Sequence, residues 1–242
     1  MPALTDLAAS IERITGADRF ADQPPSISVA CTRDVRRLGL ALEPSTAVME
    51  RVPDEGLDAL FLHRPWGVEA AGLPEDIGVL ASHLPFDERL TIGYNPELAQ
   101  ALGLANVEPF GAKEGRPLGM IGDFTGGREA LVKRIAAELG EPEHVEPGSG
   151  SPINRVAVVG AMTDALVRDA AARGAGAYVT GQMRAPARAA VLETGIAVVA
   201  VGHRRAEVWG LHLLARLLRA EWPGLATLVL DAPRGQRGDE RG

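Results

Sequence analysis

The fold this sequence predicts is α/β: two related α/β halves packed face to face, with a metal-site cleft between them. Three observations predict it. Short apolar runs alternate with segments of helical period, as strands buried on both faces do when helices separate them. Two of these runs, IGVLASHLPFD at residues 77–87 and IAVVAVGHRRAEVW at 196–209, lead into a histidine followed four residues later by an acid. His83 and His203 are 120 apart (203 − 83), and so are Asp87 and Glu207 (207 − 87). The preceding strand and helix repeat as well, residues 38–62 lying over 156–180 at an offset of 118 (156 − 38), with Gly56 over Gly174. The halves run over residues 1–123 and 124–231, and a polar, Gly/Arg-rich tail expected to be disordered covers 232–242.

In order, Thr5 is the expected N-cap of a first helix that places Leu7, Ile11 and Ile14 on one face and closes at Gly16. Residues 17–25 run polar into two prolines and read as a loop. Residues 27–32 and 37–42 have strand character, and Ser45 caps a short helix that Pro53 interrupts or ends. The strand over 57–62 delivers His63, Arg64 and Pro65 at its exit. Residues 66–76 have no clear period before the strand that ends at His83. Asn95 and Pro96 suit the N-cap and first position of a helix that runs to Gly103. Residues 107–123, with glycines at 111, 115, 119 and 122, suggest two strands joined by a turn. A helix over 125–139 spaces Leu131, Ile135 and Leu139 along one face. Residues 141–151, EPEHVEPGSGS, read as a flexible surface segment carrying a solvated His144. Strand 155–159, helix 162–173, strand 177–180, helix 184–193, strand 196–201, helix 206–221 and strand 225–230 complete the alternation.

Composition narrows the function. Hydrophobic residues at 46% are enough for a full core, and the net charge of −7 disfavours general binding to a nucleic-acid backbone. A single cysteine, Cys31, excludes an internal disulfide framework and suits a reducing compartment. With no signal peptide and no apolar run of membrane length, the expectation is a cytoplasmic protein without a membrane partner. There is no phosphate-binding G-x-x-x-x-G-K-S/T loop, G-x-G-x-x-G fingerprint, Cys-x-x-Cys pair or G-x-S-x-G elbow.

What remains is a set of histidines and acids at strand exits, where open α/β sheets keep their ligands. His63, Asp87, His203 and Glu207 offer two imidazoles and two carboxylates, a mixture that suits zinc, manganese, iron or cobalt and leaves positions for water. If the turn after His203 is helical, His203 and Glu207 share a face. The plainer reading is that Glu207 complements a helix dipole and the histidine is structural.

These residues carry a resemblance. The sequence resembles the Ngg-interacting-factor-three-like family, whose bacterial members are described as dinuclear-metal-centre hexamers or as homologues of a type 2 GTP cyclohydrolase I. The likeness covers residues 38–230. LFLHRP stands where the family has Ile-Thr-His-His-Pro, and ASHLPFD where it has Ala-Ala-His-Thr-Asn-Leu-Asp. AYVTGQM stands for Tyr-Ile-Thr-Gly-Asp, and GHRRAEVWG for Gly-His-Tyr-Glu-Ser-Glu-Val-Phe-Gly. The resemblance implies metal ligands at His63, Asp87, His203 and Glu207, with His83 orienting a ligand or lining the pocket. The family's second histidine falls on Arg64, which cannot ligate a cation, and its Asp after Thr-Gly falls on Gln182. Its early Asp-Asn-x-Gly-Leu loop has no counterpart at residues 20–28.

Two consequences of Arg64 stay open. The site is reduced to one ion or none, or the guanidinium replaces a cation as a fixed charge for a substrate anion. The expectation is one divalent metal per chain rather than two. The implied function is a metal-dependent hydrolase acting on a nucleotide or phosphoester, with Glu207 or Asp87 as proton acceptor. The alternative is a non-catalytic, ring-shaped oligomeric scaffold. The resemblance also implies a homo-oligomer, a hexameric toroid. Val208, Trp209, Leu211, Leu213, Leu214, Leu217 and Leu218, apolar beyond one narrow stripe of the last helix, add to that expectation.

Overall fold

The computed structural model describes residues 1–68, 72–150 and 152–231; the tail over 232–242 lies outside these. The fold is mixed α/β, with two sheets and eight α-helices among the described residues. It divides into two compact units, one of residues 1–86 with 210 onward, the other of residues 87–209. The first unit is discontinuous in sequence, because the last strand returns to pair with its sheet.

In the first unit, α1 (Leu4–Thr15) precedes β1 (Ile27–Val29), β2 (Arg37–Ala41), α2 (Thr46–Asp54), β3 (Ala59–Leu62) and β4 (Gly78–Ala81). The chain returns after α8 (His203–Glu221) with β11 (Ala226–Val229). The sheet order is β1-β4-β3-β2-β11, parallel except for β1, which runs antiparallel on β4. β3 and β4 are buried along their whole length, as their unbroken apolar runs require. The N-cap of α1 is Ala3 rather than Thr5. The Asp6 carboxylate accepts from the Ala3 N–H at 2.9 Å, so the acid two positions into the helix, rather than the threonine, satisfies the end.

The second unit has α4 (Pro96–Ala101), β5 (Ala105–Lys113), β6 (Arg116–Asp123), α5 (Gly127–Leu139), β7 (His144–Glu146), β8 (Arg155–Val159), α6 (Asp164–Ala172), β9 (Ala177–Thr180), α7 (Arg188–Thr194) and β10 (Ala197–Ala200). Its sheet runs β5-β6-β8-β9-β10-β7, with β8, β9 and β10 parallel and β7 antiparallel on β10. One face packs on Leu131, Ile135 and Leu139 of α5, spaced as expected; the other packs on α6 and α7. β7 corrects the flexible-segment expectation. Its polar residues hid it, but Val198, Val199 and Ala200 of β10 hold it as a paired edge strand.

The repeat extends to individual hydrogen bonds. β2, α2 and β3 match β8, α6 and β9 with every boundary displaced by 118 residues (155 − 37, 164 − 46, 177 − 59). Ser45 Oγ accepts from Val48 N–H and Thr163 Oγ1 accepts from Leu166 N–H, one cap for each copy. Each helix ends at a left-handed glycine, Gly56 at φ 58° and Gly174 at φ 82°, where a side chain would strain the backbone. Leu57 N–H then donates to Val52 C=O and Ala175 N–H to Ala170 C=O, which turns each chain into its next strand.

The apolar residues of α8 are used within the chain. Leu211, Leu213, Leu214 and Leu218 are buried, and Val208, Trp209 and Leu217 half-buried. The helix therefore lends no support to a partner surface.

Candidate metal centre

His63 follows β3 directly and His203 opens the helix after β10, and in each unit the ladder runs past the strand end. In the first unit, His63 N–H donates to Ala41 C=O at 3.1 Å and Arg64 N–H to Leu42 C=O at 2.8 Å, extending the β2–β3 pairing. In the second, Val201 N–H donates to Thr180 C=O at 3.0 Å and Gly202 N–H to Gly181 C=O at 2.8 Å, extending β9–β10. Gly202 at φ 95° makes the bend before α8, and a Cβ there would lie 2.3 Å from Glu143 Oε1. The positive φ is what favours glycine there, since the Glu143 side chain could move aside.

His63 is fully buried, with Nδ1 3.0 Å from Ser82 C=O. A carbonyl only accepts, so Nδ1 carries a proton, and a neutral ring so held would keep its lone pair on Nε2. That is the tautomer a ligand histidine needs, fixed by a backbone group. Its ring lies 4.8 Å from that of half-buried His83 and 4.7 Å from Phe86. Four residues past His83, on α3 (Leu84–Leu90), stands Asp87. His63, His83 and Asp87 each offer a ligand atom within 4.8 Å of the others.

In the second unit the helix begins at His203, three residues earlier than the expected start at 206. His203 and Glu207 therefore sit one turn apart, with Nε2 3.1 Å from Oε1. Glu207 is only 1% exposed, whereas the His203 side chain is 68% exposed. Asp87, His203 and Glu207 again offer ligand atoms within 4.8 Å of one another. Two donors on one ion, each about 2.1 Å from it, stand roughly 3.0–3.4 Å apart, so the His203–Glu207 separation suits a shared ion. A buried carboxylate close to a second carboxylate also needs positive charge or a proton nearby. Both the donor chemistry and the geometry fit a divalent cation.

The remaining expected residues fall as follows. The Arg64 guanidinium is engaged by Glu43, its Nε 2.9 Å from Oε1. Gln182 is exposed, just past β9. His144 lies on an exposed edge strand and His212 on the exposed side of α8. Burial, and secondarily the Asp76 carboxylate, push the Cys31 thiol pKa up, so it is not activated as a nucleophile. The sequence reading assigned no role to Trp66, which packs against His83. The signal available for it was an aromatic three residues past a candidate ligand.

The model of the Duf34/NIF3 (NGG1p interacting factor 3) family matches residues 3–233. The chain belongs to that family. Among curated relatives, a Pyrococcus horikoshii protein is 30% identical over 247 residues, covering 95% of this chain and 98% of its own. One from Deinococcus radiodurans is 27% identical over 224 residues, covering 86% and 85%. Both are named GTP cyclohydrolase 1 type 2 homolog. Reduced HcgD from Methanocaldococcus jannaschii superposes with a TM-score of 0.74 at 23% identity, covering 96% of this chain and 98% of its own. TTHA1606 from Thermus thermophilus gives 0.73 at 23%, covering 97% and 100%. At these identities the structures establish the fold of this Duf34/NIF3 member. The helical turns and strand exits that carry the candidate ligands belong to that fold, while Arg64 and Gln182 depart from the residues the family motifs led one to expect.

Proposed function

We propose that this chain binds a divalent cation (zinc, manganese, iron or cobalt) through Asp87, His203 and Glu207, and hydrolyses a nucleotide or phosphoester. The observation that carries this reading is the fully buried Glu207 carboxylate grouped with a second carboxylate and an imidazole. When bound, such a cation polarises a phosphoryl or carbonyl oxygen and acidifies water. Glu207 or Asp87 would serve as the proton acceptor. His63 is held in its lone-pair tautomer by Ser82, and His83 packs against its ring. The names of the curated relatives support a nucleotide as the substrate class.

Arg64, engaged with Glu43 where the family resemblance expects an imidazole, supports one cation per chain rather than two. The resemblance also supports a hexameric assembly, which light scattering checks directly; a monomer at micromolar concentration would end that part of the proposal.

The deciding experiment is the metal content of freshly purified protein, followed by manganese or zinc titration and assay on GTP and a simple phosphomonoester. About one ion per chain, lost in Glu207→Ala together with hydrolysis, is the expected result. A wild type that binds neither ion overturns the cation. An ion bound without hydrolysis of either substrate favours the non-catalytic scaffold.

A further inference from the structure

Trp66 is 68% exposed, an unusual setting for so large an apolar ring. The exposure is built into the backbone. Residues 65–68 make a tight turn in which Val68 N–H donates to Pro65 C=O at 3.1 Å and Gly67 has φ 77°. Val68 is buried at one end of the turn, so Trp66 is held at its tip. The indole lies 5.5 Å from the His83 ring at 80° to it, and His83 lies 4.8 Å from His63. Leu84, the residue after His83, is 56% exposed. Six large hydrophobic side chains are exposed among the described residues. Trp66 and Leu84 both belong to the His83 neighbourhood; the others are Met1, Val107, Val145 and Leu192. An indole this exposed has at least one face open to solvent.

We infer that Trp66 is a stacking platform for a planar heteroaromatic ring, a substrate-recognition residue beside the candidate ligands. An open aromatic face recognises another flat ring through stacking and burial, and tolerates different bases because every base has such a face. The inference rests on the proposed function and narrows it: the substrate is nucleotide-like, carrying a ring as well as a phosphoryl group, rather than a plain phosphoester. Trp66 sets specificity and takes no part in proton transfer.

Calorimetric titration with GMP, AMP and ribose 5-phosphate, in manganese and again in EDTA, tests this on the wild type, Trp66→Ala and Trp66→Phe. Both nucleotides should bind at least about tenfold tighter than ribose 5-phosphate. Trp66→Ala should remove about tenfold of that preference, in line with the loss of one base–aromatic stack, and Trp66→Phe should keep most of it. Equal affinities for the three ligands, no measurable nucleotide binding, or a preference untouched in Trp66→Ala would overturn the inference. So would light scattering in which Trp66→Ala converts a larger assembly into a smaller one, because Trp66 would then cover a second copy of the chain. The cation is judged separately. If manganese fails to bind while the Trp66-dependent nucleotide preference survives in EDTA, the cation reading falls and the stacking platform stands.

Discussion

The two units present matched scaffolds with unequal chemistry. In each, an antiparallel edge strand lies on the outermost strand of a parallel run: β1 on β4 in the first, β7 on β10 in the second. In each, the helix that joins the first two strands of the repeat, α2 before β3 and α6 before β9, is capped and closed by equivalent hydrogen bonds. The donors at the strand exits differ. The first unit puts imidazoles at two exits, His63 after β3 and His83 after β4, with His63 fully buried. The second has Gly181 and Gln182 after β9, and keeps its one imidazole, His203, largely exposed above a buried Glu207. A single extra residue accounts for part of this. His83 follows β4 by two positions (83 − 81) and stays outside α3, whereas His203 follows β10 by three (203 − 200) and starts α8. Starting the helix on the histidine places Glu207 one turn away and in contact with it. Backbone hydrogen bonding therefore preserved the frame, while side chains at the exits were free to diverge.

The largest expected effect tests that inequality of donors. Glu207→Ala should weaken manganese or zinc binding by more than about 100-fold, whereas His83→Ala, which removes a neighbour of a ligand, should cost about tenfold. Calorimetry giving equal losses would mean that His83 is itself a donor. Next comes Arg64→His, which restores an imidazole at an exit of the first unit. It should raise the capacity from one ion per chain to two, read as titration stoichiometry, and two tight sites in the wild type would refute the reduced site.

The cores of the repeat can be compared at Leu60 and its counterpart Tyr178, 118 residues on (178 − 60), both fully buried. Leu60→Ala should cost about 2–5 kcal/mol of stability by denaturant unfolding, because it leaves a cavity. Tyr178→Phe should cost about 1 kcal/mol, since it removes only the hydroxyl that donates to Ala161 C=O at 2.6 Å. The smallest effects belong to the caps. Ser45→Ala and Thr163→Ala should each cost about 1 kcal/mol, and a large difference between them would mean that the equivalent bonds no longer carry equivalent load.

Much of the candidate site was legible because strand exits and helical spacing are local properties. The positions of His63, His83, Asp87, His203 and Glu207 follow from where apolar runs stop and from the four-residue period of a helix. Trp66 was passed over because exposure is not local; its significance depends on the turn at residues 65–68 and on His83 arriving from another strand. β7 was hard to read because polar residues, His144 and Glu146, flank its single valine. The repeat contained a clue, since His144 lies 117 residues after Ile27, the start of the corresponding edge strand β1 (144 − 27).

The sequence by itself determined the α/β alternation, the 118-residue repeat, the caps at Ser45, Asn95 and Thr163, and the strand exits at His63 and His203. Each is encoded within a few residues by apolar period, a capping side chain or a glycine able to turn left-handed. Tertiary structure decided which surfaces those elements bury. It sealed Glu207 while leaving His203 open, and it aimed the Arg64 guanidinium at Glu43. It also returned the C-terminal strand to the first unit by pairing β11 with β2. Those outcomes depend on contacts between residues up to 189 apart (226 − 37), and the pattern along a single segment carries no record of what that segment will meet.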